Sequence, residues 1–322
     1  MNRISTRNLG SPSCLTLALF AMRLAAPHAL LAQAPALEPD GRTINAPRPV
    51  MDLALLLEER YRKPVTYEDP VWQWRGDSFV AGRDENALAL RWQSFLLPDG
   101  LTPAESSALD ETLVAKALDA YHSQNPDSTQ FRVTTSRLGL HIVPAKLHDA
   151  WGRVVTAGSL LDAYIRVPEA RRMATDHLTA LRDAVTAATG TKVEESGNDK
   201  WLDQFYAAGG LVPPRSATKL LTTEEQQPYS FVWGAGVMTA RDALLSLLDS
   251  SATTLTWRVL CEPSASPGDR FCVLNVVPIQ VPVIAADGKP ELNALGRPKM
   301  RSLSYDRLKE PPKTIPRPAP HE

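Results

Sequence analysis

The chain has 322 residues, 43% of them hydrophobic and 22% charged, with a formal net charge of -1. This excludes a wholly disordered chain, a collagen-like repeat and a polytopic membrane protein, and the length allows about two domains. A net charge this close to zero supplies no whole-chain basic field, so no nucleic-acid partner is expected.

Residues 1–32 read as a signal peptide. Arg3 and Arg7 make a positive start, Cys14 to Met22 is an apolar run, and the small residues from Leu24 to Ala34 offer a cleavage site, placed after Ala32. The apolar run is too short to cross a bilayer. No later stretch reaches the roughly 18 apolar residues a membrane helix needs, so no transmembrane segment is expected once the signal is removed. The expected location is therefore the periplasm or the medium. Residues 33–48 form a linker.

Residues 49–150 form a first segment. Pro49 precedes a helix from Val50 to Arg62 that carries Leu53, Leu56, Leu57 and Tyr61 on one face. A short strand, Pro64 to Tyr67, follows. After a long spacer, Thr102-Pro-Ala-Glu105 reads as the capped start of a second helix running to His122. Phe131–Thr135 and Leu140–Pro144 then read as a hairpin.

Residues 155–284 form a second segment. Leu161 to Val167 is a strand, Pro168 opens a third helix with Leu178, Leu181 and Val185 aligned, and Gly190 ends it. Lys192–Glu194 and Tyr229–Trp233 are strands. Thr239-x-x-Asp242 caps a fourth helix. Residues 285–322 form a Pro-rich basic disordered tail, with seven prolines and eight basic against four acidic residues from Lys289 onward.

With the signal gone two cysteines remain, Cys261 and Cys272, an even count that in an exported chain points to one disulfide. Leu255–Cys261 and Cys272–Val277 both alternate. Placing the cysteines opposite each other also puts Val259 opposite Leu274 and Trp257 opposite Val276, so one face is wholly apolar. The other face carries Arg258, Thr256 and Asn275 with Leu260, Val273 and Val277. This mixed face requires a cover, from the third helix or from the first segment. The expected Cα separation of the cysteines is about 5.5–6 Å.

The two segments repeat one order: helix, short strand, spacer, helix, hairpin. They align at an offset of 126 from Leu118 to Val133, and at 134 beyond the turn, where Leu140-His-Ile-Val-Pro144 meets Leu274-Asn-Val-Val-Pro278. That alignment gives the second hairpin eight extra loop residues. The expected fold is α+β: two tandem modules, each a small mixed sheet with two helices packed on it.

Leu178–Glu195, Tyr229–Leu260 and Phe271–Pro278 resemble the short N-terminal domain of secretins and TonB-dependent receptors, called STN. Ala243-Leu-Leu-Ser-Leu-Leu248 and Val273 to Val277 stand where that family has its second helix and last strand. Leu53–Glu68, with residues 117–133 and 138–144, is similar to it as well. The chain also looks like a loose group of exported bacterial proteins with two such segments. In the family these modules pair with rings, barrels or regulators, and the pattern brings no catalytic residues. No secretin domain, plug or barrel is read in the sequence after these segments, so channel and transport activity are not expected to carry over.

The residues display no familiar catalytic constellation. His141, His148 and Asp149 come nearest to a metal set, but they lack helical or C-x-x-C spacing, and a polar strand face explains His141. Gly234-Ala-Gly236 reads as a tight strand–helix corner. The adjacent carboxylates Glu194-Glu195 and Glu224-Glu225 read as solvated. No metal, cofactor or catalytic residue is assigned. Tyr67, Trp72 and Trp74 form an aromatic cluster, read either as a sugar- or peptide-stacking surface or as a satellite core. The function expected is a non-enzymatic envelope or secreted interaction module, with an envelope protein or a cell-wall component as partner. The alternative is a hydrolase or ligand-binding protein directed at the cell wall.

Overall fold

The computed structural model describes residues 42–72, 76–81, 88–99, 101, 109–194, 230–249, 251, 254–263, 270–283, 285, 289, 291–292 and 299–302. All of these lie in one compact unit, residues 34–322. The expected signal peptide, most of the linker and most of the tail lie outside them.

In the first half of the described chain the order is β1 (Thr43–Ala46), α1 (Pro49–Tyr61), β2 (Val65–Glu68), β3 (Ser78–Val80), β4 (Leu88–Leu90), β5 (Gln93–Leu96), α2 (Glu111–Gln124), β6 (Gln130–Thr135), β7 (Leu140–His148) and β8 (Val154–Thr156). A single 3-10 turn, Leu160–Asp162, leads into the second half. There follow β9 (Tyr164–Arg172), α3 (Ala174–Thr189), β10 (Lys192–Glu194), β11 (Phe231–Thr239), α4 (Ala240–Leu248), β12 (Leu255–Cys261) and β13 (Phe271–Pro278). Two short strands, β14 (Gln280–Pro282) and β15 (Met300–Ser302), pair antiparallel near the end. The fold is a mixed α+β arrangement.

The halves do not have separate sheets, as the reading of two modules required. One sheet runs through both in the order β10-β13-β12-β2-β7-β6, with β8 beside the far end of β7. Its centre is the parallel pairing of β12 with β2, where Arg258 lies opposite Tyr67 and Val259 opposite Glu68. Two antiparallel ribbons, β1–β5 and β9–β11, complete the layers.

The helices of the two halves cover opposite faces of this sheet. Side chains alternate along a strand. Val65, Tyr67, Ile142 and Phe131 therefore share one face, where they join Leu53, Leu57, Val114 and Leu118 of α1 and α2 and Ile44 and Phe95 of the first ribbon. Trp257, Val259, Leu274 and Val276 point the other way. They join Leu178, Leu181, Leu244 and Leu247 of α3 and α4 and Ile165, Val167 and Trp233 of the second ribbon. Both helices of the second half thus lie on its apolar face, and α3 does not cover the mixed one. The cover there includes the first half: Leu260 belongs to the first-half core.

Local chemistry explains the helix ends. Pro49 takes the first turn of α1, where its missing N–H costs nothing. Asp110 caps α2, its side chain accepting from the Leu113 N–H at 2.8 Å. The helix therefore begins at Glu111, later than Thr102, and the motif Thr102-Pro-Ala-Glu105 lies outside the described residues. Thr239 caps α4 through the Asp242 N–H at 3.1 Å. The helices α1 and α3 each end in a left-handed residue, Arg62 (φ 55) and Gly190 (φ 69). Glycine takes that conformation freely and arginine does so at a cost.

Other sequence expectations fail for identifiable reasons. Pro168 sits inside β9 and opens no helix, because a two-stranded ribbon leaves an edge whose N–H needs no partner. The α3 helix starts at Ala174. Gly234 and Gly236 lie within β11, not at a corner. A Cβ on Gly234 would come within 2.6 Å of the Glu169 Cα, so glycine is there to let β9 and β11 approach.

Candidate functional site

The hairpin β12–β13 has the register its alternation predicts: Trp257 opposite Val276, Val259 opposite Leu274, Cys261 opposite Cys272. The two cysteines are bonded, with Cα atoms 4.0 Å apart. That is closer than the expected separation, because the Glu262 N–H donates to the Phe271 carbonyl and so leaves the cysteines as a non-hydrogen-bonded pair, the closer of the two antiparallel spacings.

The hairpin β6–β7 has a matching register. Val133 lies opposite Ile142 and Thr135 opposite Leu140, so Thr135 and Leu140 stand where the second hairpin has its two cysteines. The offset beyond the turn is therefore 132, not 134, and the loop is six residues longer, not eight. The next strand also agrees: Val65 lies opposite Leu140, as Val193 lies opposite Cys272. The Val65 N–H donates to Glu58 and the Val193 N–H to Thr186, each on the helix seven residues before it, at 3.0 and 3.1 Å. In each half the order across the sheet is the short strand, then the second hairpin strand, then the first.

These equivalences single out one seam, where β2 of the first half is laid along β12 of the second. It is packed with buried charge. Glu58 of α1 pairs with Arg258 of β12, and both are buried. The Arg258 guanidinium also donates to the Thr256 hydroxyl and the Trp257 carbonyl, both at 3.0 Å. Glu68 has 0% exposure. It receives both arms of Arg241 from α4, at 2.7 and 3.0 Å, the Ser159 hydroxyl, and the Trp257 indole N–H at 3.2 Å. Arg241 also reaches Asp162 at 2.5 Å. Burial opposes the charge on Arg241, but its bonds to Glu68 and Asp162 outweigh that and push its pKa above the ordinary arginine value.

Asp69 closes the other end. It accepts from Arg48 at 2.8 Å, from the Tyr67 hydroxyl at 2.5 Å and from the Cys261 N–H at 2.9 Å. The Cys261 carbonyl accepts from Arg48 at 2.9 Å and from the Trp72 indole at 3.0 Å. Burial, reinforced by the neighbouring Asp69 charge, drives the Tyr67 pKa well above 10, so the phenol stays neutral and donates.

Tyr67 and Trp72 are accordingly interior residues, 1% and 8% exposed, and they belong to different cores. They form no stacking surface together, and Trp74 lies outside the described residues. Beside the seam is a cavity of about 10 Å³ lined in part by Arg48, Tyr67, Trp72, Asp77 and Tyr121. It is the size of one water. Asp77 accepts from the Thr129 hydroxyl at 3.2 Å, and its other oxygen has no protein donor. Burial raises its pKa.

Two of the residues weighed for a metal, His141 and Asp149, do other work. The ring of His141 stacks on Trp257 with centroids 4.9 Å apart and bonds Thr66 and Ser136 at 2.9 and 2.6 Å. Asp149 builds the β7–β8 turn, accepting from the Trp151 and Arg153 N–H groups and pairing with the Arg153 side chain at 2.6 Å. Among the described residues, no group of three His, Cys, Asp or Glu side chains could hold a metal. No described helix is long and apolar enough to cross a membrane. Of the two carboxylates in Glu194-Glu195, the described one, Glu194, pairs with Lys192 at 2.6 Å.

Sequence reasoning placed Arg258 on the mixed face that requires a cover, but gave it no partner, and it missed Glu58, Glu68, Asp69 and Arg241. A usable signal was present: Glu68-Asp69 sits between Tyr67 and the pair Val71-Trp72, where a solvated loop would not carry three aromatic or β-branched side chains.

Compared with protein-family models, with curated proteins and with solved structures, the chain has no match.

Proposed function

We propose that this is a non-enzymatic interaction protein, exported to the envelope or secreted, built from two STN-like segments. The observation that carries the reading is how the molecule uses its buried charge. Glu58, Glu68 and Asp69 are spent on attaching one strand to the edge of another, β2 to β12. The fold is thus assembled by adding a strand to a sheet edge, a mode by which proteins also capture partners. A second edge of the same kind, β6, is paired on one side only among the described residues.

Two further observations support the compartment and the family. The bonded Cys261–Cys272 pair suits an oxidising environment, in keeping with the N-terminal signal pattern. Each half has the order strand, helix, strand, strand, helix, hairpin, with β3–β4 inserted in the first. Its helices lie between a ribbon and a three-strand group, and this suits the STN resemblance.

The test has two parts. N-terminal sequencing of the protein from its native host should begin at Gln33. Affinity capture from the envelope fraction, followed by reconstitution with the purified partner, should give a saturable complex. A mature chain that begins at Met1 refutes export. A chain that turns over cell-wall material without any partner refutes the non-enzymatic reading.

A further inference from the structure

The molecule holds one worked example of what its outer edge takes. In the seam, Val259 belongs to a non-hydrogen-bonded pair with Leu274, so its N–H and C=O point away from β13 and toward β2, and its carbonyl accepts from the Asp69 N–H at 2.8 Å. Val133 is placed identically. It lies opposite Ile142 in a non-hydrogen-bonded pair, since the Ser136 N–H bonds the Gly139 carbonyl three steps on, and its N–H and C=O point away from β7. Among the described residues nothing pairs with β6 on that side.

The side chains repeat the comparison. Arg258 precedes Val259 and points to the face opposite its own half's helices, where α1 of the added unit delivers Glu58 onto it. Arg132 precedes Val133 and likewise points away from α1 and α2. It is exposed, and no carboxylate among the described residues pairs with it.

We infer that the β6 edge binds a helix–strand segment of another protein. The strand runs parallel to β6 and bonds Val133, and the preceding helix carries a carboxylate onto Arg132. This rests on the interaction reading above and names the surface and the partner's chemistry. A second copy of this chain is the poorer occupant. Its own corresponding unit, α3–β10, has Thr186 where α1 has Glu58. Docked there, its helix would set Thr186 and no carboxylate against Arg132, leaving that charge with less compensation than Glu58 gives Arg258.

The probe is a synthetic peptide of residues 50–72, which carries α1, Glu58 and β2, titrated against the full chain by fluorescence anisotropy. It should bind, and Arg132→Glu should weaken it by about tenfold or more, as for close charge pairs at interfaces. A peptide with Glu58→Arg should recover affinity for Arg132→Glu, a surface change that leaves the fold intact. A peptide of residues 178–194, carrying Thr186, should bind more weakly than the first. Absence of binding overturns the inference. So does binding unaffected by Arg132→Glu, which indicates exchange with the chain's own β2. Concentration-dependent self-association abolished by Arg132→Glu would make a second copy the occupant and overturn the partner assigned. If an envelope partner is still captured by Arg132→Glu, the interaction reading stands and the edge assignment fails.

Discussion

Replacing Arg258 with Met tests whether charge holds the seam. The change removes the guanidinium and keeps most of the apolar stem. It leaves Glu58 at 6% exposure with one oxygen still bound to the Val65 N–H and the other without its cation. Breaking a buried pair from one side costs about 3–5 kcal/mol, because the remaining charge is left uncompensated. The Thr256 hydroxyl and the Trp257 carbonyl lose a donor as well. At about 2 °C per kcal/mol for a chain of this size, the melting temperature should fall by roughly 6–10 °C. Glu58→Gln alone should also destabilise, since it strands Arg258 while sparing the bond to Val65. The double variant should be more stable than the sum of the two single losses allows, by about 2 kcal/mol or more, within the range found for coupled neighbours. Urea titration of the four proteins closes the cycle. Single variants within about 1 kcal/mol of the parent, with no coupling, would show that Glu58 and Arg258 are solvated in the folded protein and that the seam does not depend on them.

Three further outcomes are expected. His141 is driven down to about 4, first by burial and then by the Arg241 charge. The unfolded chain therefore takes up this proton first, and stability present above pH 6.5 is lost as pH falls toward 4, by up to about 3 kcal/mol. Urea midpoints between pH 4 and 7 should show this, and His141→Gln should flatten the curve, leaving the smaller same-sign contributions of His122 and His177, both lowered chiefly by burial. Reduction of Cys261–Cys272, which closes a short loop of sequence separation 11, should cost about 3 kcal/mol, and thiol labelling of the unreduced, unfolded chain should find neither cysteine free. Arg62→Gly should stabilise by about 0.5–1 kcal/mol, since glycine takes the left-handed cap without strain; a loss of stability would mean the Arg62 side chain has an unrecognised role.

Local signals in the sequence carried local structure. Alternation about Cys261 and Cys272 set the register of the second hairpin, Gly190 ended α3, and Thr239 began α4, because each depends on residues close in the chain. Errors came where a local signal had a rival. The motif at Thr102 pointed to an earlier start than the Asp110 cap gives, and Pro168 looked like a helix start although a ribbon edge accepts proline equally well. The likeness of residues 140–144 to 274–278 set the repeat two residues off, since alternating strands look alike after a shift of two. The neighbours of Glu68-Asp69 hinted at burial, but which strand buries them was out of reach for another reason. The seam's partners lie far apart in the chain, as with Trp72 and Cys261 at a separation of 189, and parallel pairing leaves no turn motif to announce it. A lone Glu58 or Arg258 reads as solvated until the strand that buries it is known.

The seam also sets the order in which the molecule can be completed. Strand β2 belongs to the early part of the chain and β12 to the late part, so a chain made from its N-terminus must wait for nearly two hundred further residues before that side of β2 is covered. A bare strand edge invites pairing with whatever chain is nearby. During that interval Asp69 already has Arg48 of the early chain, but Glu58 and Glu68 are two negative charges beside the edge without their cations, the type of residue that keeps unpaired edges apart. Arg258 arrives on β12 and Arg241 just before it on α4, so the cations that neutralise Glu58 and Glu68 come with the segment that supplies the proper strand. Carboxylates that in the finished protein bind the two halves together are, while it is being made, what keeps the edge from closing on the wrong partner.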